Sequence, residues 1–226
     1  MEHQFTRIEY LFEENQLNSI KEATVCVVGL GGVGSQALLT LARTGVSKFV
    51  ICDFDIINIT NCNRQIIANL KTVGKFKTDV CEEMIKSINP NAEIVKLNER
   101  FSSESKLFNY HFDYLIDAID DVENKYLLIK MCLMENIKFI SSMGTAKKFD
   151  IKKLEIIDIN KTEYDPLAKI IRKKLRDDNL KVKFKCLSSK EVVTLKGPNL
   201  GSYMPVTATA GLMIADYIIK EITNKE

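Results

Sequence analysis

The chain has 226 residues, is 46% apolar, and carries 32 Lys and Arg against 30 Asp and Glu. Those proportions suit one large globular domain with a sizeable core, and no apolar run reaches the roughly 20 residues a membrane helix needs. Met1-Glu2-His3-Gln4 leads into no apolar stretch of the kind a signal peptide has, so the expectation is a cytoplasmic protein.

The elements alternate along the chain. Val25–Val28 is a short apolar run, as in a central parallel strand buried on both faces. It ends in glycines and passes into a helical pattern over Ser35–Arg43. Phe49–Cys52 reads as a second strand, and Thr78–Ile88 as a helix stopped by Asn89-Pro90. Ile94–Leu97 and Tyr114–Ile116 read as strands, Val122–Glu135 as a helix, and Phe139–Ser141 as a fifth strand. Beyond Gly144 come a strand at Leu154–Ile159, a helix at Pro166–Arg176 with proline at its start, two short strands within Val182–Val193, and a closing helix from about Val206 to Ile222. This order predicts an α/β fold: a Rossmann-like, mostly parallel sheet with helices on both faces and a C-terminal sheet extension. One domain spans 1–226, with a nucleotide-binding core at 1–145 and an extension at 146–226.

The six cysteines give no disulfide framework. Cys26, Cys52 and Cys132 sit inside apolar runs as small hydrophobes, and no C-x-x-C pair offers a structural zinc site. Charge is uneven. Lys161–Lys196 holds eleven Lys and Arg against five Asp and Glu, and the remainder is net negative. On charge alone, a solvated helix face accounts for that segment as well as a phosphate-backbone contact does.

Gly29-Leu30-Gly31-Gly32-Val33-Gly34 follows a strand and opens a helix. Glycines let the backbone turn and approach a phosphate, and the helix start offers free N–H groups. Asp53 falls about 20 residues on, where an acid bonds a ribose hydroxyl, so the first expectation is NAD. The next residues do not suit NAD. Asn61, Arg64 and Gln65 follow the acid, and Lys75 and Lys77 stand at a helix start, a poor place for a cation unless an anion joins it. Asp117 and Asp120 close the fourth strand, at the edge where α/β ligands bind. A carboxylate beside phosphates suggests Mg²⁺. Two cations, a carboxylate and a phosphate loop describe a triphosphate site better than a hydride site.

These pieces in this order resemble the ubiquitin-activating-like adenylyltransferases, and within them the tRNA threonylcarbamoyladenosine dehydratases. The closer likeness rests on Phe5–Glu9, Asn63–Ile67, Ser141–Gly144, Lys161-Thr162 with Asp165–Ala168, and Gly201-Ser202 with Pro205 and Gly211–Ala215. The resemblance implies ATP-dependent adenylation of a threonyl carboxylate on a tRNA adenosine, then ring closure with loss of water. Because the nucleophile belongs to the substrate, no enzyme cysteine is needed. By the same resemblance Gly29, Gly31, Gly32 and Gly34 cradle the nucleotide. Asp53 binds the ribose with Asp55 and Asn61 nearby, Arg64 and Lys77 hold phosphates, and Asp120 holds Mg²⁺. Arg7 completes the site of a partner subunit in a homodimer, and sulfur-relay proteins are partners of some members.

Asp121 departs from the Asn, Ser or Thr usual in the family, Thr145-Ala146 replace an Ala-Gly pair, and Glu13 and Gln16 replace glycines. Lys169, Arg172, Lys173, Lys174 and Arg176 crowd one helix, and Lys181, Lys183 and Lys185 alternate as on one strand face, so this segment is expected to meet tRNA. The competing readings are a sulfur-carrier adenylyltransferase acting on a protein C-terminal glycine, an NAD-dependent oxidoreductase, and a non-catalytic nucleotide-sensing module. Missing C-x-x-C pairs argue against the first, and Arg64, Lys77 and Asp120 have no role in the second.

Overall fold

In a computed structural model of the chain, residues 2–195 and 197–224 are described. Met1 and Lys196, the last residue of the basic segment, lie outside them. Two short helices, α1 (Thr6–Glu9) and α2 (Glu14–Glu22), precede a seven-stranded sheet. Its strands are β1 (Thr24–Val28), β2 (Lys48–Cys52), β3 (Glu93–Leu97), β4 (Tyr114–Asp117), β5 (Lys138–Ser142), β6 (Leu154–Asp158) and β7 (Lys185–Ser189). The spatial order is β3-β2-β1-β4-β5-β7-β6. All pairs are parallel except β6 with β7. The expected Rossmann-like sheet with a C-terminal extension is therefore present, and the last strand inserts between β5 and β6.

The period of two along each strand builds two cores. Val25, Val27, Phe49, Ile51 and Ile116 face one side and pack with α3 (Gly34–Thr44), α4 (Lys77–Ile88) and α7 (Met204–Thr223). Cys26, Val28, Val50 and Leu115 face the other and meet Leu128 and Cys132 of α5 (Val122–Met134). A third cluster fastens α6 (Pro166–Asp177) through Ala168, Ile171 and Leu175 to Phe184 and Cys186. Gly211 lets α7 close on α3, since a Cβ there would come within 2.6 Å of the Val33 carbonyl oxygen.

Two local expectations are corrected. Only one strand, β7, forms within 182–193, and Lys181 and Lys183 lie in irregular backbone before it. Phe184 and Cys186 are nevertheless buried between exposed lysines, so the alternation is real without a strand to carry all of it. Glu13 and Gln16 have a local use: Glu13 N donates to Gln16 Oε1 at 3.1 Å and closes the start of α2.

Candidate nucleotide site and basic face

The glycine loop joins β1 to α3 at the C-terminal edge of the sheet. Gly29 sits at φ +90°, and a Cβ there would come 2.6 Å from the Ala118 carbonyl oxygen, so the first turn packs directly on the loop after β4. Asp53, at the end of β2, is buried and holds the glycine loop down. Its Oδ2 accepts from Leu30 N at 2.6 Å and its Oδ1 from Asp55 N at 2.8 Å. Burial raises the Asp53 carboxyl above its ordinary value, against the opposing pull of Lys77.

Lys77 opens α4 and is 5% exposed. Its Nζ lies 2.6 Å from Asp55 Oδ2 and 3.8 Å from Asp53 Oδ2. Two carboxylates compensate a cation that the helix dipole disfavours. Arg64 is half-buried, and its Nη1 donates to Thr60 O at 2.9 Å and to Asn63 Oδ1 at 3.1 Å. No carboxylate neutralises it among the described residues, so its charge is available. Asn61 is used locally, accepting from Asn58 N through Oδ1 at 2.9 Å.

The loop after β4 ends in two acids with different roles. Asp121 is the N-cap of α5 and accepts from Asn124 N at 2.9 Å. Asn, Ser, Thr and Asp all do this, which gives the departure at Asp121 a structural reason. Asp120 is exposed, and its carboxylate has no hydrogen bond or ion pair among the described residues. No cluster of three or more His, Cys, Asp or Glu capable of holding a metal occurs among the described residues. A lone carboxylate still suits Mg²⁺, which takes one or two protein carboxylates and completes its shell with phosphates and water.

Several contributors were given no role of their own from the sequence. Gln65 is buried beside the glycine loop, and its Oε1 has no hydrogen-bond donor in the structure, an acceptor that a ligand hydroxyl or amino group would satisfy. Thr207 of α7 lies where a Cβ on Gly32 would be 3.0 Å away, so the far end of the chain walls the glycine loop. Lys125, Asp117 and Ser141 form a buried polar cluster beneath the Asp120 loop. Arg7, which the resemblance assigns to a partner subunit's site, is exposed on α1 and has no partner among the described residues.

The basic segment divides. Arg172 turns inward: its Nη1 donates to Ile159 O at 3.3 Å and Thr162 O at 3.1 Å. Lys174 pairs with Glu123 at 2.8 Å. Lys169, Lys173 and Arg176 remain exposed and unpaired among the described residues, and their i, i+4, i+7 spacing puts them on one stripe of α6. Five of the six cysteines are buried, and burial pushes the Cys52 and Cys186 thiols to about 12, so neither acts as a nucleophile near neutral pH.

A parallel sheet with a glycine loop after its first strand and charged groups along the same edge defines a Rossmann-like nucleotide-binding protein. Residues 5–226 match the ThiF family, and the chain belongs to that family. It is 44% identical over 183 residues to the tRNA threonylcarbamoyladenosine dehydratase of Bacillus subtilis (strain 168), covering 80% of this chain and 72% of that protein. It is 32% identical over 245 residues to the enzyme of the same name from Escherichia coli (strain K12), covering 95% of this chain and 91% of that protein. The crystal structure of the E. coli dehydratase TcdA in complex with ATP superimposes with a TM-score of 0.92 at 33% identity, over 98% of this chain and 94% of that one.

Proposed function

We propose that the protein is an ATP-dependent tRNA threonylcarbamoyladenosine dehydratase, working in the cytoplasm. The observation that carries the reading is the set of unspent charges around the glycine loop: Arg64 without a counter-ion and Asp120 without a donor, flanking a cation already balanced by Asp53 and Asp55. A hydride-transfer site needs no such pair. Likeness to the B. subtilis and E. coli dehydratases over most of both chains supports the substrate.

In this reading Gly29, Gly31, Gly32 and Gly34 cradle the phosphates of ATP, and Asp53, with Asp55 and Asn61 near it, takes the ribose hydroxyls. Arg64 and Lys77 hold the phosphates and stabilise the charge that builds at the α-phosphate as the threonyl carboxylate attacks. Asp120 holds Mg²⁺, which supplies charge neutralisation on the phosphates. The carboxylate oxygen bonds to the α-phosphorus, pyrophosphate leaves, and the carboxyl carbon becomes an acyl adenylate. A neighbouring atom of the same nucleoside then attacks that carbon and expels AMP, closing the ring. Arg7 of a second copy completes each site in a homodimer. The stripe Lys169, Lys173 and Arg176 meets the tRNA backbone.

The test is incubation with ATP, Mg²⁺ and tRNA, digestion to nucleosides and mass spectrometry. Threonylcarbamoyladenosine lighter by one water, formed only with ATP, is the expected product. Unchanged tRNA, with ATP consumed only when a sulfur-carrier protein is added, would replace this reading by carrier adenylation.

A further inference from the structure

The loop between β4 and α5 carries Asp120 and forms the surface on which Gly29 packs, yet it is only three residues long between Asp117 and Asp121. One residue, Lys125, bonds to both of its ends, with its side chain at Asp117 and its backbone at Asp121. Lys125 is fully buried, and its Nζ donates to Asp117 Oδ2 at 2.7 Å and to Ser141 Oγ at 3.1 Å. Ser141 Oγ donates in turn to the same Asp117 oxygen at 2.5 Å. The backbone N–H of Lys125 donates to Asp121 O at 2.9 Å, closing the first turn of α5. The other Asp117 oxygen, Oδ1, accepts from Ile119 N at 3.1 Å, inside the loop itself.

A buried ion pair is a weak device for stability. Removing both ions from water costs several kcal/mol each, and apolar pairs of similar volume often do as well or better. Asp117 and Lys125 are both completely buried, so here the cost is in full. What the pair supplies that an apolar pair cannot is an acceptor aimed at Ile119 N, one residue before Asp120, with Lys125 balancing its charge.

We infer that Asp117, buried under the C-terminal ends of β4 and β5 with Lys125 as its counter-ion, is a positioning residue that sets the place of the Asp120 carboxylate through the Ile119 amide. The inference rests on the proposed role of Asp120. It predicts that stability and turnover can be separated, which a merely structural pair would not allow.

Two double variants separate them. Asp117→Asn with Lys125→Met keeps an oxygen for Ile119 N, whereas Asp117→Val with Lys125→Met removes it; both avoid an unpaired buried charge. Melting temperature, hydrogen exchange at the Ile119 amide, ATP affinity and turnover against Mg²⁺ are measured on each, beside Asp120→Asn. The Asn variant should match the wild type in all four. The Val variant should melt like the wild type but exchange faster at Ile119, require more Mg²⁺, and turn over at least tenfold more slowly, about 10²-fold if the carboxylate shifts by 1 Å. A Val variant with wild-type turnover and Mg²⁺ requirement, while Asp120→Asn is inactive, overturns the inference alone. So does an Asn variant that melts and exchanges normally yet loses tenfold or more in turnover, and this arm stands even if the Val variant fails to fold. If Asp120→Asn itself keeps its activity, the functional reading fails and this inference with it.

Discussion

The nucleotide edge and the face of α6 both gather cations, and two of those at the edge are treated in the opposite way to those on α6, while Arg64 stays without a counter-ion among the described residues. At the edge, Lys77 is buried against Asp55 and Asp53, and Lys125 against Asp117. On α6, Lys169, Lys173 and Arg176 stand in solvent with no partner among the described residues. A buried cation must be balanced before any ligand arrives, and its position is then fixed to a fraction of an ångström. An exposed stripe is free to move and repels itself by a few tenths of a kcal/mol per helical pair, a cost that a polyanion removes. The first arrangement suits chemistry on one phosphorus atom and the second suits grip on a backbone.

The strongest way to break this contrast is at Asp120. Asp120→Asn should lower turnover about 10²–10³-fold, the usual cost of one charged group acting in the transition state, with ATP binding and melting temperature nearly unchanged. Near wild-type turnover with unaltered Mg²⁺ dependence would remove Asp120 from the site. Arg7→Ala should be inactive for a different reason, since in the proposed dimer Arg7 serves the other subunit. Mixed with Asp120→Asn, it should recover about a quarter of the wild-type rate, because half of the dimers are mixed and each has one intact site. No recovery despite verified subunit exchange would count against Arg7 acting in the partner's site.

Gly29→Ala probes the packing of the edge rather than its charge. A side chain at φ +90° costs at least about 1–3 kcal/mol in conformation alone, and the Cβ would also strike Ala118 O, so both melting temperature and ATP affinity should fall. Unchanged values would mean that the loop does not rest on Ala118.

The smallest effects belong to α6. Lys169→Glu, Lys173→Glu and Arg176→Glu together should weaken tRNA binding and flatten its dependence on log salt by up to about three units, leaving ATP affinity and stability alone. Arg172→Ala should do the reverse, lowering the melting temperature by loss of its bonds to Ile159 and Thr162 with little change in tRNA affinity. Equal effects of both variants on tRNA would erase the distinction between the stripe and the inward arginine.

What could be read from sequence follows the same division. Elements set by local pattern were legible: each expected strand from Val25 to Ser141 forms within a residue or two, and the glycine loop, Asp53 and Lys77 come together as the order of a parallel sheet requires. Contacts that depend on non-local packing were not. Lys125 is one of two lysines in a mostly apolar helix, and only the approach of β4 and β5 turns it inward to Asp117 and Ser141. The insertion of β7 beside β5, the wall that Thr207 makes on Gly32, and the inward turn of Arg172 have the same origin. The departure at Asp121 finds its reason only in the local structure, where the start of α5 uses the carboxylate as a cap.

Isotope transfer tests the central claim, carboxylate adenylation, most directly. If tRNA carrying ¹⁸O in the threonyl carboxylate is converted with unlabelled ATP, the bond to the α-phosphorus is made by that carboxylate oxygen and stays with it when AMP departs. The account predicts AMP containing one ¹⁸O per ring closed, with unlabelled pyrophosphate. Label in inorganic phosphate with ADP as the co-product, or ring closure with unlabelled AMP, would contradict it.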